Sequence, residues 1–116
     1  MFNRYSALLL LFMLFQTAPV NAHSGGHGDI VLKDSQAISV AYSVVKQFTQ
    51  LDPGLGFGKL DSSWGKLPEA AQRVHKKHHD YLIIAFTNKN QTLYVLMSVS
   101  GDIYDANMTG QFEGLK

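Results

Sequence analysis

Residues 80–112 read DYLIIAFTNKNQTLYVLMSVSGDIYDANMTGQF. Three apolar runs, Tyr81–Thr87, Thr92–Val99 and Ile103–Met108, are separated by two short polar breaks. Asn88-Lys89-Asn90-Gln91 supplies turn-forming side chains to the first break. Ser100-Gly101-Asp102 forms the second, with a glycine free to take the positive φ of a tight hairpin. Loops this short join antiparallel neighbours, so the spacing predicts a meander. Apolar residues fill both alternating sets of the first two runs. Tyr81, Ile83 and Ala85 oppose Leu82, Ile84 and Phe86, while Leu93, Val95, Met97 and Val99 oppose Tyr94, Leu96 and Ser98. Such a sheet needs cover on two faces. The expected covers are a helix on one, and the 55–66 segment or a second subunit on the other.

The helix is found upstream. After Asp34 and Ser35, which can cap a helix start, the run SQAISVAYSVVKQFTQL places Ile38, Ala41, Val45 and Phe48 at the spacings of one helical face. Ala37, Val44 and Leu51 widen that face. The spacing predicts a helix over Ser35–Leu51, ended by Asp52-Pro53-Gly54, because proline disfavours helix at and before its own position. Leu55–Gly65 is glycine-rich and irregular, with Phe57, Leu60 and Trp64 as its anchors in the core. Its Gly54-Leu55-Gly56-Phe57-Gly58 stretch shares only glycine content with a phosphate loop, since no Gly-Lys-Ser/Thr follows. Leu67–His79 has two readings. Pro68–Ala71 can begin a helix with proline in its first turn, or Ala71–Lys76 can form a further strand that turns at Lys77-His78-His79-Asp80. The strand reading is preferred. The fold class is therefore α+β, with one N-terminal helix packed on a three- to four-stranded antiparallel meander.

The 116 residues suffice for one domain. Residues 1–22 stand apart. Arg4 precedes the unbroken apolar run Ala7–Phe15, and Val20-Asn21-Ala22 offers small residues for cleavage, the pattern of a secretory signal peptide. The nine-residue run is too short for a spanning helix, which needs about 20 apolar residues. Removal after Ala22 predicts a periplasmic or secreted product with no membrane insertion. His23–Lys33 then forms a flexible start rich in His and Gly, and residues 34–116 form a single domain.

All nine acidic residues and nine of the ten basic ones lie beyond Ala22, leaving that part without formal net charge. A nucleic-acid partner would need a basic surface. There is no cysteine, which excludes thiolate metal sites and thiol chemistry.

The helix spacing AI-x-x-AY-x-VV (Ala37, Ile38, Ala41, Tyr42, Val44, Val45), followed by YLIIAF and LYVLMSVSGDIYDANMTG, resembles PepSY-like domains. The chain is more similar still to a family of small exported Gram-negative proteins of unknown function. These carry Ser-Trp upstream and Ala-Asn-x-Thr-Gly near the end, here Ser63-Trp64 and Ala106-Asn107-Met108-Thr109-Gly110. The resemblance covers residues 30–112. It implies a helix packed on an antiparallel sheet and an association with the cell envelope, and it carries over no catalytic residue.

Histidine is the one residue type with a functional concentration. His23 and His27 lie in the start, and His75, His78 and His79 in VHKKHHDY. Cleavage at Ala22 would give His23 a free α-amine beside its imidazole. Amine and imidazole nitrogens suit copper(II) and zinc. His75 and His79 would share a face of a helix or a strand. Against this, Lys76 and Lys77 are adjacent cations that oppose a metal ion. Neither Gly-x-Ser-x-Gly nor His-Glu-x-x-His is present, and the sequence is read as non-enzymatic. Two functional readings follow. The first is an exported binding module that uses the sheet toward a protein partner or a weak homodimer. The alternative is a copper- or zinc-binding protein that uses the histidines.

Overall fold

The computed structural model describes residues 30–115. One helix, α1 (Asp34–Phe48), precedes four strands: β1 (Gln72–Lys77), β2 (Tyr81–Asn88), β3 (Gln91–Ser98) and β4 (Ile103–Asn107). The strands form one antiparallel sheet in the order β1-β2-β3-β4. The expected α+β meander is thus present with its fourth strand. Both readings of the 67–79 segment hold in part. Glu69–Ala71 makes a single 3-10 turn after Pro68, and the chain then extends into β1. None of the helices among the described residues is long and apolar enough to cross a membrane.

Helix α1 begins one residue earlier than expected and ends three residues sooner than Leu51. At its start the Gln36 Oε1 accepts from the Lys33 N–H at 2.9 Å. At its end Thr49 N–H bonds back to the Lys46 carbonyl at 3.1 Å, tightening the last turn. Leu51 lies beyond that turn and is exposed. The buried stripe is Ala37, Ala41, Val44, Val45 and Phe48, with Ile38 half-buried at its margin. The face is therefore rotated slightly from one centred on Ile38. Small residues at 37 and 41 bring the helix close to the sheet.

The stripe packs on Leu82, Ile84 and Phe86 of β2 and on Leu93, Val95 and Met97 of β3. These are register partners: Leu82 faces Met97, Ile84 faces Val95, and Phe86 faces Leu93. Leu60 and Trp64 complete the same core, and the Leu60 N–H bonds to the Phe48 carbonyl at 2.9 Å. The 55–66 segment thus packs on the helix side, not on the opposite face as one expectation had it. Tyr42 fixes it there. Its hydroxyl donates to the Trp64 carbonyl at 2.9 Å and accepts from the Leu67 N–H at 2.8 Å. Asp61 caps the 3-10 turn Ser62–Lys66 through the Ser63 N–H, and hydrogen bonds from Ser63 hold its carboxyl below the usual carboxylate range.

The second face carries Tyr81, Ile83 and Leu96, and it is covered in part by Phe112 and Leu115 of the C-terminal tail. The return is made by Asn107. Its Oδ1 accepts from the N–H groups of Thr109 and Gly110, and its Nδ2 donates to the Gln111 carbonyl at 2.9 Å. Gly110 has φ +77°, and a Cβ there would stand 3.3 Å from the Tyr94 ring. A side chain there would crowd the ring in a backbone conformation that favours glycine.

Candidate functional site

The β1–β2 connection is a tight turn closed by the His78 N–H on the Tyr81 carbonyl at 2.9 Å. His79 and Asp80 form its tip, with side chains 79% and 71% exposed. The His78 ring lies flat on Tyr81, with centroids 4.7 Å apart and planes 9° apart. It also lies 4.3 Å from the His79 ring. His79 Nε2 is 3.2 Å from Asp80 Oδ2, and the Asp80 N–H reaches His78 Nδ1 at 3.3 Å. One potential ligand atom from each of His78, His79 and Asp80 lies within 4.8 Å of the other two.

His75 goes elsewhere. The β1–β2 register shifts between Val74 and Lys76, so one extra residue is accommodated at His75. Its ring meets the edge of Tyr94 at 5.0 Å, on the second face. A regular strand would have put His75 and His79 on one side. The bulge and the turn separate them, so His75 does not join His78 and His79. His23 and His27 lie outside the described residues, as does the expected cleavage after Ala22.

The two lysines that argued against a metal are both engaged. Lys77 Nζ is 2.7 Å from Asp34 Oδ1 in the first turn of α1. Lys76 Nζ stands 5.8 Å from the centroid of the Tyr81 ring, at cation–π range.

Beside the turn lies a half-open cavity of about 340 Å³, lined by Val31, Leu32, Leu82 and Val99 with Lys77, His78 and His79. The lead-in to the helix builds one wall, because Leu32 N–H bonds to the Val99 carbonyl at 2.9 Å and extends the sheet end. An apolar floor with imidazoles and an ammonium group at one side suits a ligand that joins an apolar group to an anionic one. The sequence reading missed Val31, Leu32, Leu82 and Val99 as site residues, since nothing in their spacing shows that Leu32 pairs with Val99. Asp80 was also not among the expected ligands, although it adjoins His79 in the sequence.

These features define an α+β helix-on-meander protein with a histidine-bearing turn beside an apolar cavity. The chain belongs to DUF6488, a family of unknown function, whose model matches residues 1–111. Neither the curated proteins nor the solved structures give a match.

Proposed function

We propose that the chain is a small exported, non-enzymatic binding module of PepSY-like type that acts in the periplasm once residues 1–22 are removed. The observation that carries this reading is the cavity of Val31, Leu32, Leu82 and Val99 beside Lys77, His78 and His79. Its size lies at the lower end of ligand pockets, roughly 300–1,000 Å³, which is room for one or two side chains of a partner. A chain end with an aliphatic residue and a free carboxylate matches both the floor and the cationic side. The leader-like residues 1–22 and the absence of an acyl-transfer or zinc-protease motif in the sequence support the exported and non-enzymatic parts.

The test is a titration of ¹⁵N-labelled protein, in the presence of a chelator, with short peptides ending in leucine or valine. Peptides with a free carboxylate should shift the amides of Val31, Leu32, Leu82 and Val99, and amidated peptides should shift them less. Shifts confined to other parts of the sheet, or none across the panel, count against the reading. A second copy of the chain is the competing partner, and sedimentation at high concentration separates the two.

A further inference from the structure

We infer that the β1–β2 turn is a metal site in which His78, His79 and Asp80 hold one borderline divalent cation of the zinc(II) or copper(II) kind. Two imidazole nitrogens and a carboxylate oxygen are a ligand set that both ions accept, with an open position left for water or a further ligand. In a tetrahedral zinc site with Zn–N distances of about 2.0–2.1 Å, ligand atoms stand about 3.3 Å apart. The three groups here already lie within 4.8 Å of one another, and His79 and Asp80 are exposed enough to close the remaining gap by side-chain rotation. The Asp80 carboxylate is already drawn to the His79 ring at 3.2 Å, and a cation between them replaces that contact.

Two further features favour the site. Stacking on Tyr81 holds the His78 ring in place, which lowers the ordering cost of binding. Lys77 is paired with Asp34 and Lys76 lies over the face of Tyr81, which offsets part of their opposition to a cation. His75, by contrast, is committed to Tyr94 on the second face and takes no part. The metal site shares His78 and His79 with the cavity wall, and the two readings are told apart by testing peptide with a chelator present and zinc with no peptide present.

The experiment is zinc titration by calorimetry on the full chain as produced, its N-terminal histidines included, without peptide. The parent should bind one zinc per chain. His79→Ala and Asp80→Asn change exposed tip residues, and their folding is checked by the amide spectrum. Removal of an outer-shell partner typically weakens a site about 10- to 100-fold, so loss of the His79 ligand should weaken binding at least about 100-fold. His75→Ala should bind as the parent does. A chain carrying His23→Ala and His27→Ala together should lose less affinity than His79→Ala. Three results overturn the inference: a parent that binds no zinc, a His79→Ala chain that binds like the parent, or a larger loss on removing His23 and His27 than on removing His79.

Discussion

The two faces of the sheet are made from alternate residues of the same strands, yet they are finished differently. On the helix side, Leu82, Ile84, Phe86, Leu93, Val95 and Met97 meet a continuous stripe of α1, with Leu60 and Trp64 closing the margin. On the other side, Tyr81, Ile83 and Leu96 are covered by two residues of a returning tail, and the rings of His75 and His78 lie against tyrosines. The first face is finished by buried aliphatic and aromatic packing. The second is finished by polar-tipped rings and a short tail held by one asparagine. Stability and ligand access are set by different parts of the sheet. Dense apolar packing carries most of the folding energy, while the β1–β2 turn and the cavity at the end of the helix-covered face leave side chains able to meet a ligand.

The largest expected effect lies in the helix-covered face. Phe48 is fully buried there and packs near Phe57, with centroids 5.7 Å apart. Phe48→Ala should cost about 3–5 kcal/mol in urea unfolding, a large share of a small domain's stability. A loss under about 1 kcal/mol would show that this face does not carry the core.

The same chemical deletion on each face then sharpens the contrast. The Tyr42 hydroxyl makes two hydrogen bonds that tie α1 to the 55–66 segment. Tyr42→Phe should cost about 1–3 kcal/mol, because the Leu67 N–H and the Trp64 carbonyl lose their partner. Gly110→Ala comes next. Its positive φ and the nearby Tyr94 ring predict a loss of about 1–2 kcal/mol, with the tail resonances of Phe112 and Leu115 moving while the helix resonances stay. The smallest effect is Tyr81→Phe. The Tyr81 hydroxyl is buried with no hydrogen-bond partner among the described residues, so its removal should leave stability within about 0.5 kcal/mol or raise it. A loss as large as that of Tyr42→Phe would mean the hydroxyl is bonded in solution and the two faces are finished alike.

How much of this was legible in the sequence follows from the reach of each signal. Strand and helix periods are local, so Tyr81–Asn88, Gln91–Ser98 and α1 were read to within a few residues. Trp64 was legible as a core anchor for the same reason that large aromatics usually are. The bulge at His75 was not, because one inserted residue leaves the composition of a strand unchanged while redirecting a side chain. The tail's return was not legible either. It depends on Asn107 bonding forward to three residues and on Gly110 passing a ring from another strand. The motifs that carried the family resemblance turn out to be structural. Ser63 accepts from Asn88 at 2.8 Å and donates to the Asp61 cap, and Ala106 to Gly110 builds the tail turn. They report the fold and are silent about the ligand. Of the candidate site, the sequence named His78 and His79. It could not show what Lys76 and Lys77 meet, since their partners Tyr81 and Asp34 reach them only in three dimensions.

The division into two faces is tested most directly by one nuclear Overhauser spectrum of the folded protein. Ring-to-ring contacts are expected between Tyr42 and Phe86 on one side, and between His78 and Tyr81 and between His75 and Tyr94 on the other. A one-residue slip of register would exchange the faces of a whole strand. Contacts from Tyr42 to Ala85 or Thr87 in place of Phe86 would therefore contradict the assignment of the faces and with it the site built on the turn.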